Sequence, residues 1–278
     1  GKEDFSNHNI MKLGFWPGGD RDGNPFVTAS ITKDVADELR LTLMKCYYND
    51  LKLLHRKLSF KGLQTLLWDL RGKLYNTMFD ASKYVSYEEI LGTLEEIRTI
   101  LIENYHGLYL KDLDHLIDKV KIFKTHFATL DIRQDHSKHT LVVQEILKKN
   151  GTIKESLDEL TEKQLINVLL KEDINARAGD YKEAIVKDTI KNIRQLKTIQ
   201  NKNGEEGCNR YIISNSEDIF SVLFVFGLFR WCGWKTEEIT FDIVPLFETM
   251  NGMETSEDTM QQLFDIKIYR DHVSRRND

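Results

Sequence analysis

The sequence predicts an α/β fold, predominantly helical, whose later part reads as units of a (β/α)8 TIM-type barrel carrying extra helices. Three observations lead there. The chain has only three prolines in 278 residues, where ordinary usage would give roughly 14, so long helices run uninterrupted. Apolar residues of the first half recur at threes and fours. After about residue 125, short β-favouring runs alternate with helical text, the order expected of parallel crossover units. Three or four strands are legible and a closed barrel needs eight, so either the sheet is open or the chain is part of a longer one. The division expected is one central fragment of a larger protein, with about 1–125 a mostly helical elaboration and 126–278 the barrel units.

Leu13 to Pro25 opposes helix, because Gly18, Gly19, Gly23 and two prolines fall within it; it reads as an extended stretch entering a loop. Thr32 is the expected N-cap of a first helix, with Val35, Leu39, Leu43, Tyr47, Leu51 and Leu54 on one face. A second helix covers Leu63 to Phe79. Ser86 and Glu89 form a capping-box pattern opening a third, and a fourth covers Leu110 to Ile122. His126 to Arg133 reads as a buried strand. Helices follow at Lys138 to Lys149, ended by Asn150-Gly151, at Thr161 to Leu170 with Thr161 and Gln164 as a capping box, and at Asp180 to Gln200. Asn201 to Gly207 is a loop. Arg210 to Ser214 is a strand, followed by a helix capped near Ser214 or Ser216 and running to Trp231. Phe241 to Phe247 is a strand, and a closing helix runs from Ser256 to Val273.

Composition excludes several classes. With 39 Lys and Arg against 44 Asp and Glu, the formal charge is −5, so the chain is no polycation for nucleic acid. The Lys-rich stretches around Lys148 and Lys191 alternate with acids and read as solvated helix faces. At 41% hydrophobic residues the chain is not disordered. Cys46, Cys208 and Cys232 form no CxxC or zinc spacing and read as core residues in a reducing cytoplasm. The first residues show no apolar signal region, and a cytoplasmic location is expected. The apolar run from Ile219 to Phe229 is about half of what a bilayer requires and reads as a core helix. Neither membrane nor nucleic acid is an expected partner.

Three segments look unlike scaffold. In FWPGGDRDGNPFVT the glycines let the backbone approach a ligand or another loop, and Arg21 stands between Asp20 and Asp22, which would fix it; a surface loop with a local ion pair is the plain alternative. Asp20, Asp22 and Asn24 begin like a calcium loop, but Pro25 stands at the glycine position and Ile31 at the glutamate position, and that reading fails. In TLDIRQDHSKHT, Arg133 follows apolar strand residues, where a parallel barrel presents side chains to its mouth. A guanidinium there can bind phosphate or carboxylate through two parallel hydrogen bonds; the plain alternative is a buried arginine paired with Asp131 or Asp135. His136 and His139 lack a third metal ligand and read as solvated or capping. In FDIVPLFETM, Glu248 is carried at a strand's C-terminal end, as a ligand for magnesium or manganese or as a carboxylate stabilised by a helix N-terminus. Arg230, ending the apolar helix, favours that helix's dipole.

Taken in order, GGDRDGNP at Gly18 to Pro25, LDIRQD at Leu130 to Asp135 with Ser137 and His139 after it, RYIISNS at Arg210 to Ser216 and VPLFET at Val244 to Thr249 resemble phosphoenolpyruvate carboxylase over nearly the whole chain. Two places depart from the family pattern: Met250-Asn251-Gly252-Met253 after VPLFET, and YIISNS where YVISMA is common. They suggest a divergent branch. The family's segment with the catalytic histidine, and its GYSDS-type and GRGG segments, are expected outside this stretch.

The resemblance implies an anaplerotic enzyme that adds bicarbonate to phosphoenolpyruvate, giving oxaloacetate and phosphate with Mg2+ or Mn2+ and no biotin. It implies Glu248 as metal ligand, Arg133 and Arg21 as catalytic and substrate-binding arginines, Asp20 and Asp22 in support, and a homotetramer for the full-length protein. The fragment alone should be inactive. The rival readings are a non-enzymatic helical interaction domain and an unrelated metal-dependent β/α barrel handling phosphate.

Overall fold

A computed structural model of the chain describes residues 11–80 and 83–276. The periodic apolar text of the first half folds as α1 (Ala29–Lys57), α2 (Leu63–Phe79), α3 (Tyr87–Tyr105) and α4 (Leu110–Phe123). Leu67, Leu70 and Leu74 of α2, Leu94 and Ile97 of α3, and Leu113 and Val120 of α4 share one buried cluster with Leu43, Tyr47 and Leu51 of α1. Each such side chain contributes about 1.5–3 kcal/mol on burial. The stripe expected on α1 holds from Leu43 onward, whereas Ala36 and Arg40 take the buried positions before it. Cys46 lies off the stripe and is exposed, contrary to expectation; Cys208 and Cys232 are buried.

Helix starts depart from expectation where a better acceptor stands nearby. α1 begins at Ala29, with Thr28 Oγ1 accepting from the Ile31 N–H at 3.4 Å; Thr32 lies inside the helix and its hydroxyl donates to the Gly18 carbonyl at 2.7 Å. Ser86 caps α3 by accepting from the Glu89 N–H at 3.1 Å. The carboxylate of Glu89 turns instead to Lys73, so the capping box is half made.

Two units emerge. One comprises Val35–Thr129 and Ile199–Gly207 with the chain up to Gly14; the other comprises Phe15–Asp34, Leu130–Thr198 and the chain from Cys208 onward. Of the loop expected at Asn201 to Gly207, the part to Asn203 continues the preceding helix, because Asn203 is tied in: its Nδ2 donates to Ala36 O at 2.8 Å and its carbonyl accepts from Thr125 Oγ1 at 2.9 Å.

The strands are short. β1 (Gly14–Phe15) pairs with β2 (Thr129–Leu130), and β3 (Ile132–Asp135), β4 (Arg210–Ser214) and β5 (Asp242–Pro245) form a sheet in that order. Both neighbour pairings in it are parallel. The strand expected at His126 to Arg133 is displaced toward the C-terminus, ending at Asp135, and Phe127 before it has a left-handed φ of 67°. The Gly-rich segment serves as a further edge: Asp131 N donates to Phe15 O, Arg133 N to Gly19 O at 2.9 Å, and Arg21 N to Arg133 O at 2.8 Å. Among the described residues the sheet is open and forms no closed barrel.

Helices α5 (His136–Asn150), α6 (Glu162–Lys171), α7 (Ala184–Asn203), α8 (Ile219–Trp231), α9 (Met250–Asp265) and α10 (Lys267–Arg275) complete the chain. The Thr161/Gln164 box is present in full. α8 is buried on all sides, as an all-apolar helix must be. Its cap is Asp218, which accepts from Phe220 N and Ser221 N; Ser214 is consumed by β4, and Ser216 donates to Ile213 O. Arg230 serves a neighbour, donating to the α6 carbonyl of Leu169 at 2.7 Å. The closing helix starts early because Thr249 caps it, accepting from Gly252 N at 2.9 Å, and it breaks at Ile266, whose ψ is 107°. Among the described residues no helix is long and apolar enough to cross a membrane.

Two stability predictions follow from this packing. A Cβ on Gly227 would stand 2.8 Å from Leu169 Cδ2 and 3.4 Å from its carbonyl oxygen, whereas a Cβ on Gly92 meets nothing within 4 Å. Gly227→Ala should cost about 1–3 kcal/mol and Gly92→Ala, inside α3, should add about 0.5–1 kcal/mol; urea unfolding of the two variants gives both signs. Burial also holds three histidines neutral, lowering His126 and His272 to about 4 and His139 to about 3. The unfolded chain binds protons near pH 6.5, so it outbinds the folded chain below that. Their stabilising contribution is full above about pH 6.5 and is lost as pH falls toward 4, on the order of several kcal/mol in total. A urea midpoint that stays level from pH 7 to pH 5 would count against this.

Candidate active site

Parallel pairing brings the C-terminal ends of β3, β4 and β5 to one edge, where open α/β sheets place their ligands. Three residues there form a chain of hydrogen bonds. Asp135, last in β3, accepts from Asn215 Nδ2 at 2.6 Å, and the Asn215 N–H donates to Glu248 Oε1 at 3.1 Å. Asn215 sits at φ 53°, a left-handed conformation that asparagine tolerates better than most residues. Burial alone would raise the Asp135 carboxyl, but hydrogen bonds from Ser137 and Asn215 outweigh it and hold it below its ordinary value.

Arg133 lies beside this chain. Its Nη2 donates to Asp22 Oδ2 at 3.1 Å and stands 3.5 Å from Glu248 Oε2, while its Nε is 3.8 Å from Asp20 Oδ1. Its side chain is 16% exposed and that of Glu248 35%, so the group is sheltered and reachable. Neither expected partner, Asp131 or Asp135, takes Arg133. Asp131 accepts instead from Arg210 Nε at 2.8 Å and from Trp16 Nε1 at 3.1 Å, and the Arg133 guanidinium carbon lies 5.5 Å from the centre of the Trp16 ring.

Arg21 does not join the group. Alternation along the strand-like segment sends Asp20 and Asp22 to Arg133 and turns Arg21 away, where its buried guanidinium pairs with Asp188 of α7. The other Asp188 oxygen accepts from Ala29 N at 2.9 Å, at the start of α1. The expectation that Asp20 and Asp22 fix Arg21 is thus corrected: they fix Arg133. His139 is also corrected, being wholly buried and bonded to the Tyr211 hydroxyl at 3.0 Å. His136 stacks on Phe224, so the two histidines make no metal pair.

Sequence reasoning singled out Arg133, Glu248, Asp20 and Asp22, which the structure brings together. It missed Asn215, whose signal was the departure of YIISNS from the family pattern, and the Trp16, Asp131 and Arg210 set, which no spacing reveals. Among the described residues no three His, Cys, Asp or Glu are placed to hold a metal ion. A hard divalent cation such as Mg2+ needs only one or two protein carboxylates, with water and substrate oxygens filling the rest. Glu248, whose side chain is partly exposed, suits that role.

The model of the phosphoenolpyruvate carboxylase family matches residues 1–76 and 67–278. The phosphoenolpyruvate carboxylase of Vibrio atlanticus is 28% identical over 286 residues, covering 93% of this chain and 32% of that protein. Those of Trichormus variabilis and of a Nostoc species are 28% and 29% identical over 318 residues, each covering 94% of this chain and 31% of the relative. The chain therefore spans about a third of the length of the relatives it matches. Matched by the family model from end to end, this chain belongs to the phosphoenolpyruvate carboxylase family.

Proposed function

We propose that this chain is the central part of an enzyme that adds bicarbonate to phosphoenolpyruvate, giving oxaloacetate and phosphate. The observation that supports it best is the meeting of Arg133, from β3, with Glu248, from the segment after β5, at 3.5 Å beside Asp22. The reaction passes through carboxyphosphate and the enolate of pyruvate, so negative charge accumulates and must be met by fixed positive charge. Arg133 offers a planar fork of five N–H donors, and among the described residues its side chain makes one hydrogen bond, to Asp22. Its Nε is buried beside Asp20, so the Nη donors are the ones left to meet a phosphate or carboxyphosphate oxygen, with Asp20 and Asp22 setting the orientation of the fork.

Glu248 would hold the divalent cation, Mg2+ or Mn2+, with its second oxygen oriented by the Asn215 N–H. Such a cation, when bound, supplies positive charge to a developing enolate oxygen. Arg21 works from behind, locking the Gly-rich segment to α7 through Asp188. The remaining strands of a (β/α)8 barrel, the catalytic histidine and a second metal carboxylate would come from the rest of a longer, cytoplasmic, homotetrameric protein.

In the full-length protein, Glu248→Gln and Arg133→Lys should each lower kcat/KM for phosphoenolpyruvate by roughly a hundredfold or more. The 278-residue chain by itself should form no oxaloacetate in a coupled malate dehydrogenase assay; metal-dependent turnover by the pure chain, or full activity in both variants, would overturn the reading. Asp188→Ala leaves a buried guanidinium unpaired and should cost about 3–5 kcal/mol in urea unfolding, with the folded fraction still binding substrate.

A further inference from the structure

We infer that Asp131 is a positioning residue for Arg133, acting through the indole of Trp16 and itself held by Arg210; this rests on the carboxylase reading above. The geometry is a relay of three contacts. The Arg210 Nε–H donates to one Asp131 oxygen at 2.8 Å, and the other oxygen accepts from Trp16 Nε1 at 3.1 Å. The Trp16 ring then lies 5.5 Å from the Arg133 guanidinium carbon. Asp131 is 5% exposed, so its carboxylate is deprived of water and needs both donors. An indole has one N–H and therefore one direction in which it can be pinned; pinning it fixes the ring face on which a guanidinium rests by cation–π attraction.

The relay complements the carboxylates. Asp20, Asp22 and Glu248 draw the guanidinium within its plane, whereas the indole limits its tilt. Asp131, the single residue between β2 and β3, and Arg133, in β3, are two apart in the chain, so alternation along an extended backbone places both on the same side. A fork aligned in both senses presents paired donors to a phosphate without reorganising. The phosphoryl group that Arg133 would grip is already anionic in the bound substrate, so a slightly looser fork should show mainly as a raised KM, with a smaller effect on kcat.

The test uses the full-length protein, with Trp16→Phe, which keeps a ring but loses the N–H, Asp131→Asn, Arg210→Lys and Arg210→Ala. Expected are a five- to twentyfold rise in KM for phosphoenolpyruvate in Trp16→Phe and Asp131→Asn, with kcat within twofold. A smaller rise is expected in Arg210→Lys than in Arg210→Ala, because lysine still donates to Asp131. Wild-type minus Trp16→Phe difference fluorescence should shift on adding inorganic phosphate, and the corresponding Asp131→Asn minus double-variant difference should shift less. Unchanged KM in both Trp16→Phe and Asp131→Asn, or equal losses of kcat and thermal stability in both Arg210 variants, would overturn the inference. A wild-type protein without carboxylase activity would instead sink the functional reading, and the phosphate-induced fluorescence shift would then judge the relay by itself.

Discussion

Everything at the candidate site hangs from one backbone exchange, in which Arg133 donates to Gly19 and accepts from Arg21. The approach is so close that a Cβ on Gly19 would fall 2.0 Å from the Asp131 carbonyl oxygen, a contact no side chain can share. Once this pairing forms, strand alternation dictates the rest. Asp20 and Asp22 face Arg133, Arg21 faces Asp188, and the preceding turn sets Trp16 over the guanidinium. Glycine is needed at this position for space, since Gly19 has no left-handed φ among the positive-φ glycines.

The electrostatics of the group are asymmetric. Asp20, Asp22 and Glu248 all lie within 4 Å of Arg133, three carboxylates around one guanidinium. An incoming phosphate meets surplus negative charge unless further cations arrive with it, and such repulsion is strong in a sheltered site. On the proposed reading, cation binding near Glu248 and anion binding near Arg133 would therefore be coupled by charge, each lowering the cost of the other.

What could be read from the sequence follows the range of the forces involved. α2 from Leu63 to Phe79, β4 from Arg210 to Ser214 and the Thr161/Gln164 box are local matters, and the structure has them where the pattern puts them. Caps went astray where two acceptors compete within a few residues, as at Thr28 against Thr32 and Asp218 against Ser216. Motif residues drew attention to Arg133 and Glu248 because their chemistry is rare at strand ends. Their partners stayed hidden: Trp16 meets Asp131 across 115 positions and Arg21 meets Asp188 across 167, and no periodicity encodes such distances. The same holds for the loss of Asp131 to Arg210, which decided which carboxylates were left for Arg133.

The interleaving of the two units along the chain has a consequence for biosynthesis. The Gly-rich segment leaves the ribosome about 110 residues before the strand it pairs with, an interval of roughly 6–20 s at ordinary elongation rates. Throughout that interval the Trp16 indole, the Gly19 carbonyl and the Arg21 amide and guanidinium lack Asp131, Arg133 and Asp188, their final partners, while the helices from Val35 to Thr129 can already collapse. Arg21 waits longer still, until Asp188 is made, so for that time the segment around Trp16 stays open to solvent and to chaperones that hold unfolded chains.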